Sequence, residues 1–201
     1  MSHVIDYYLA PQSPWTYLGH QRFADMARAA GASINVRPVD LGGKVFPVSG
    51  GLPLARRAPQ RQAYRLVELK RFSAHLGLPL NLHPAYFPVA AGGAERLIIA
   101  VDQTEGTDAA MALTGALLRA VWAEERDISD ERELASVLAA CQLPPKRLDD
   151  ARSQAVQSRF EADSQRAVEA GVFGAPTYVI DGEMFWGQDR LDFVQRRLGL
   201  G

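Results

Sequence analysis

Strand-like runs occur only at the two ends of this chain. Residues 4–9, "VIDYYL", and 34–39, "INVRPV", are rich in β-branched and aromatic residues and stop at turn signals. The next such runs are "TYVI" and "EMFW", joined by the turn pair Asp181-Gly182. Asp-Gly between two short apolar runs signals a tight β-hairpin. Two β-rich ends separated by a long helical block point to one α/β domain whose halves meet in space.

The helical readings come from spacing. Residues 14–30, "PWTYLGHQRFADMARAA", place Trp15, Leu18, Phe23, Met26 and Ala30 near one face, and Gly31 ends the pattern. Pro38 confines the second strand to an edge or to its own end. From Gln60 to Leu76, the residues Leu66, Leu69, Phe72 and Leu76 recur at three- and four-residue intervals. Further helical patterns cover 93–104, 107–124, 130–140, 144–150 and 153–170, and "DRLDFVQRRLG" closes the chain as an amphipathic helix. The order is β-α-β, helical block, β-β-α. Thioredoxin-type folds split in this way. The expected fold class is therefore α/β: a discontinuous thioredoxin-like domain from residues 1–40 and 172–201, with 41–171 as a connecting loop and an inserted all-helical domain.

The stretch "DLGGKVFPVSGGLPLARRAP" after the second strand is rich in Gly and Pro and is expected to hold no long regular element. A loop of about twenty residues in a compact domain is usually functional or disordered.

Composition removes several classes of function. With 201 residues, 47% apolar, 22% charged and a net charge of -1, no global field draws the chain to nucleic acid or anionic membrane. The single cysteine, Cys141, excludes an intramolecular disulfide and CxxC chemistry, so a reducing, cytoplasmic setting is expected. Cys141 itself reads as a buried structural thiol. The N-terminus has neither a basic start nor a sustained apolar run, so no leader is expected, and no run is long enough for a membrane span. The histidines at 3, 20, 75 and 83 show no ligand spacing, and no metal site is expected. No phosphate-loop or dinucleotide fingerprint occurs.

Ser13 stands where the first strand gives way to the first helix. Ser followed by Pro is accounted for by capping alone: Ser is a favoured N-cap, and Pro suits the first helical position. In a thioredoxin fold, however, the reactive cysteine of CxxC occupies this point, and here the four positions read Ser13-Pro14-Trp15-Thr16. Without sulfur, redox exchange is excluded. What remains is a hydroxyl beside a helix N-terminus, which favours an anion. Such a hydroxyl can donate to a thiolate carried in by a ligand and lower that thiol's pKa. Capping and the functional role are compatible. Pro176, just before "TYVI", occupies the place of the cis-proline of thioredoxin-type folds. Ala175 would then offer its backbone to an extended peptide.

"SPWTYLG", "GVFGAPTYVIDGEMFWGQDRL" and "LGLPLNLHPAYFPV" together resemble the 2-hydroxychromene-2-carboxylate isomerases, and more broadly the kappa-class glutathione transferases related to the DsbA oxidoreductases. The likeness covers nearly the whole chain. It implies a glutathione site, a homodimer, and reversible cis-trans isomerisation of a 2-hydroxychromene-2-carboxylate to a trans-o-hydroxybenzylidenepyruvate. It implies that Ser13 stabilises the glutathione thiolate, that Ala175, next to a cis Pro176, pairs with the glutathione cysteine, and that Asp189 in "GQDRL" holds the γ-glutamyl end. The reaction fits the missing cysteine: a thiolate adds to the conjugated double bond, rotation follows, and elimination restores it.

One departure stands out. The naphthalene-pathway enzymes carry a Lys and an Asn in the loop after the second strand, and spacing places Val45 and Gly50 there, with Lys44 adjacent. Asp189 and Asp192 also read as a capping-box-like helix start. Trp15 and Tyr17 are candidates for the wall of the substrate pocket or for the core, and Trp186 for either as well. Phe46 and Pro53 are weaker cofactor-pocket candidates. Arg56 and Arg57 belong to a solvated helix face or meet a carboxylate of glutathione or of a small aromatic acid. Two other readings stay open: a kappa-like transferase or peroxidase, and a non-catalytic peptide-binding thioredoxin module.

Overall fold

The structure is a computed structural model that describes residues 3–200. The chain runs β1 (Val4–Leu9), α1 (Pro14–Ala29), β2 (Ser33–Pro38), α2 (Phe46–Ser49), α3 (Pro59–Leu76), α4 (Gly92–Glu105), α5 (Thr107–Trp122), α6 (Glu131–Ala140), α7 (Arg147–Asp150), α8 (Gln154–Glu169), β3 (Thr177–Ile180), β4 (Glu183–Trp186) and α9 (Leu191–Arg197). The two β-rich ends do meet, in one four-stranded sheet of order β2-β1-β3-β4. β1 pairs in parallel with β2, placing Tyr7 opposite Val36, and antiparallel with β3, placing Tyr7 opposite Tyr178. β3 and β4 form the hairpin around Asp181-Gly182. This is the thioredoxin-type sheet that the order of the sequence patterns implies, and Pro38 closes an edge strand.

Period-two alternation divides the sheet between two cores. Ile5, Tyr7 and Leu9 face α1 and join a continuous apolar cluster that runs through Phe23, Leu97, Ile98, Leu113, Leu117 and Trp122. The Tyr7 and Tyr178 rings stack 5.4 Å apart, and Phe23 tilts against both, at 4.6 and 4.5 Å. On the opposite face, Tyr8 packs with Val39, Val45, Ala167 and Val172.

The helical block is bound to the sheet by polar contacts as well. Arg37 of β2, 6% exposed, reaches Asp6 of β1 at 2.8 Å and also pairs with Asp163 of α8. Arg159 joins Asp163, at 2.5 Å, to Asp102 of α4, at 3.7 Å. His20 of α1 is buried, its Nε2 2.9 Å from the Met111 carbonyl of α5 and its Nδ1 3.1 Å from the Tyr7 hydroxyl.

The Gly- and Pro-rich connection is ordered by short pieces: a π-helical turn at Leu41–Val45, α2, and a 3-10 turn at Leu54–Arg56. Asp40 fixes its start. The Oδ1 atom accepts from the Gly43 N–H at 2.7 Å, and the Asp40 N–H donates to Ser164 Oγ at 3.0 Å. The helix expected at 144–150 shrinks to 147–150, because i→i+3 turns at Pro144 and Pro145 open the segment. Cys141 is half-buried at the end of α6 rather than fully enclosed, and burial raises its thiol pKa.

Candidate active site

Ser13 has extended backbone angles, φ -83° and ψ 124°, and caps α1 with Pro14 at the first helical position. Its Oγ accepts the Thr16 N–H at 3.2 Å. The same oxygen donates across the sheet end to the Ala175 carbonyl at 3.3 Å. The capping and the long-range contact therefore share one atom. Ser13 is 9% exposed, and its own N–H donates to the Ala10 carbonyl at 3.0 Å.

The Ala175-Pro176 bond is cis. The corner is closed by Thr177, whose hydroxyl donates to the Gly174 carbonyl at 2.7 Å. The Ala175 N–H has no hydrogen-bond partner among the described residues. The Pro176 carbonyl accepts the Gly187 N–H at 2.9 Å, which brings the turn carrying Asp189 to the same corner. Gly187 has φ +97°, a backbone conformation that favours glycine, and a Cβ there would also crowd Asp189 Oδ1 at 2.6 Å. Ser13, Ala175, Pro176 and Asp189 thus gather at one end of the sheet, by way of three chain segments.

Asp189 does not cap a helix. It lies inside a 3-10 turn at Gln188–Arg190, and its carboxylate pairs with Arg190 at 2.6 Å, so the cap-like reading of Asp189 and Asp192 fails. Both partners are about half exposed, which leaves the Asp189 carboxylate open to a cationic group.

The aromatic candidates separate. Trp15, half-buried on the first turn of α1, meets Phe72 of α3 edge-on at 6.3 Å. Tyr17 donates its hydroxyl to the Pro79 carbonyl at 2.6 Å and so is tied to the connection after α3. Trp186 is 50% exposed and packs on Phe173 at 4.9 Å; both line a shallow surface pocket of about 380 Å3 with Phe185 and Phe193.

No hydrogen bond or ion pair joins the 41–58 loop to Ser13, Ala175 or Asp189 among the described residues. Phe46 folds its ring over Gly51, and Pro53 is exposed ahead of the 3-10 turn. Val45 is fully buried against the Tyr8 cluster and offers no group to a ligand, while Gly50 is an exposed left-handed residue at φ +74°. Arg57 donates its Nε to the Leu52 carbonyl at 2.8 Å.

Three partners of the site were not read from the sequence. Arg22 of α1 donates to the Gln188 carbonyl at 2.9 Å and also to its side-chain oxygen, holding the Asp189 turn against α1. Gln12, next to Ser13, lies near Glu95 of α4, and its own side-chain oxygen is buried without a partner. Glu95 is 5% exposed, and burial, reinforced by Asp40, raises its pKa to about 8 against the opposing pull of Arg96 and Gln12. Burial thus favours the protonated, neutral form of this carboxyl. The signal for it lies in "AERLIIAV": the helix is apolar through the following turn and gives Glu95 no polar face.

A DSBA-like thioredoxin domain matches residues 4–199, and the sheet order, the Ser13 helix start and the cis Pro176 corner agree with it. The class is thus a DsbA-like thioredoxin-fold protein without the redox cysteines. A 2-hydroxychromene-2-carboxylate isomerase of Sphingobium xenophagum is 30% identical over 98% of this chain and 99% of its own length. A solved 2-hydroxychromene-2-carboxylate isomerase superposes with a TM-score of 0.78 at 26% identity, over 98% of this chain and 94% of that one. A probable DsbA oxidoreductase from Streptomyces coelicolor shares the fold, with a TM-score of 0.75 at 18% identity over 98% and 88% of the two chains. The chain belongs to the 2-hydroxychromene-2-carboxylate isomerase family.

Proposed function

We propose that this chain is a glutathione-dependent cis-trans isomerase acting on an aromatic unsaturated 2-oxo acid of the 2-hydroxychromene-2-carboxylate type. The observation that carries the reading is the Ser13 hydroxyl, at the N-terminus of α1 and bonded to the Ala175 carbonyl beside Pro176. The residues present fit the tripeptide. Ala175 has an N–H without a partner and a carbonyl held only by a side-chain hydroxyl, which is the pair an extended peptide strand needs. Asp189 has an exposed carboxylate that suits the γ-glutamyl ammonium.

Glutathione bound there would supply a thiolate nucleophile for reversible addition to the conjugated double bond. The protein's part is electrostatic and positional. Ala175 would offer its carbonyl and free N–H to the peptide part of glutathione, and the Ser13 hydroxyl, now bonded to that carbonyl, would be placed to donate to the sulfur. The Thr16 N–H bond to Oγ keeps that hydroxyl aimed, and the positive end of α1 adds to the stabilisation of the anion. Trp15 and Tyr17, on the first turn of α1, would wall the acid from two directions, Trp15 against Phe72 and Tyr17 beside Pro79. The reading includes a homodimer in the cytoplasm, which suits a chain with one half-buried cysteine.

The test follows the isomerisation of 2-hydroxychromene-2-carboxylate by absorbance, with dialysed protein and with glutathione added back. Turnover should appear only with glutathione. Equal turnover in its absence would remove the thiolate from the mechanism.

A further inference from the structure

Arg65 of α3 is a half-buried cation that forms no hydrogen bond or ion pair among the described residues, and its Nη2 is enclosed without a partner. Its guanidinium lies over two rings, 5.2 Å from the centre of Phe87 and 5.6 Å from that of Trp122. It lines a pocket of about 290 Å3 together with Leu54, Leu66, Leu82, His83 and Phe87. None of the residues lining that pocket is acidic. Burial first, and then the like charge of Arg57, pull the Arg65 pKa down to about 10. An unpaired cation in such a place is costly unless an anion joins it.

α3 links this pocket to the helix start that carries Ser13. Trp15 touches Phe72, and Arg65 lies seven residues before Phe72 on α3, two turns away and on the same face, roughly 10 Å along the axis. Arg57 donates its Nε to the Leu52 carbonyl and does not line the pocket, whereas Arg65 does, with an unpartnered Nη2.

We infer that Arg65 is a substrate-binding residue, holding the carboxylate of an unsaturated aromatic acid whose apolar part lies against Phe87, Leu66 and Leu82. The inference rests on the isomerase reading for the identity of the acid, but the pocket's preference for an anion is independent of it. Arginine suits the role, since its planar fork meets both carboxylate oxygens while its face stays on the rings.

The experiment is calorimetric titration of the full chain with trans-cinnamate and with its uncharged methyl ester, in wild type, Arg65→Gln and Arg65→Lys. The wild type should bind the acid about tenfold or more tighter than the ester, as expected for a charge-assisted contact. Arg65→Gln should lose that preference, and Arg65→Lys should keep part of it. Equal binding of acid and ester by the wild type, or an unchanged preference in Arg65→Gln, would overturn the inference. If Arg65→Gln does not fold, the wild-type comparison and Arg65→Lys still decide. The thiolate absorbance of bound glutathione, followed in the same samples, should be unaffected by Arg65→Gln. Its absence from the wild type would sink the isomerase reading alone, with the acid-to-ester ratio still judging Arg65.

Discussion

Ser13 Oγ and the Ala175 carbonyl oxygen are 3.3 Å apart, although 162 residues separate them in the chain. The contact joins the two β-rich ends at the point where α1 begins. One oxygen serves as helix cap and as donor to the Pro176 corner, so its two roles can be separated by measurement.

Ser13→Ala removes the cap and the cross-chain bond together. The loss of stability should be about 1 kcal/mol, the usual cost of an N-cap, read from denaturant unfolding. Isomerase turnover should fall further, by roughly ten- to a hundredfold, if a charge-assisted hydrogen bond to sulfur is lost. A fall in turnover that merely tracks the unfolded fraction would make Ser13 a cap and nothing more.

Glu95 gives a pH dependence of known sign. Its folded-state pKa, about 8, lies above that of an exposed glutamate, so the native state binds the proton more tightly. Its contribution is complete below the unfolded pKa and is lost as pH rises to about 8. Thermal unfolding of the wild type should therefore weaken between pH 5 and pH 9. Glu95→Gln, which stays neutral and nearly isosteric, should flatten that decline and be the more stable protein at pH 9, by a few kcal/mol at most. Parallel curves for the two proteins would place the titration elsewhere.

His20 works in the opposite direction. Burial lowers its pKa to about 4, against the bond to Met111. The Met111 carbonyl can only accept, so Nε2 carries the hydrogen and Nδ1 accepts from the Tyr7 hydroxyl. A depressed pKa means stability that is present above the unfolded value near 6.5 and is lost as pH falls towards 4. The loss should be on the order of 3 kcal/mol. In His20→Gln, less stable at neutral pH, this acid-dependent component should disappear from a series of unfolding curves.

Asp163, 1% exposed, is paired with Arg37 and Arg159. Asp163→Ala would leave Arg37 buried with Asp6 alone, and removing one partner of a buried pair costs about 3–5 kcal/mol. Urea unfolding should show that loss, while replacement of exposed Asp149 in its pair with Arg152 should cost under about 1 kcal/mol.

Local pattern carried most of the fold. The strand at 4–9, the helix at 14–30 and the Asp181-Gly182 hairpin are each fixed by nearby residues, and each forms where its pattern lies. The joining of the ends was legible because neither end carries a whole sheet. The short turns at 41–56 were not legible, because they depend on Asp40 meeting Ser164 and on Val45 meeting Val172, more than a hundred residues on. The site divides in the same way. Ser13 and Ala175-Pro176 stand at recognisable corners. Arg22, Glu95 and Arg65 matter only through partners distant in sequence, and no spacing announces them. Val45, placed by counting at a ligand-facing position, is a core residue, because counting fixes a position in the chain and not the direction of a side chain.

The most direct measurement is the ultraviolet difference spectrum of glutathione bound to the wild type and to Ser13→Ala, across pH. Thiolate absorbance in the wild type should appear well below the pKa of an ordinary cysteine thiol, about 8.5, and shift back towards that value in Ser13→Ala. An unperturbed thiol in both proteins would contradict the account, and Ser13 would then be a helix cap on a glutathione-independent protein.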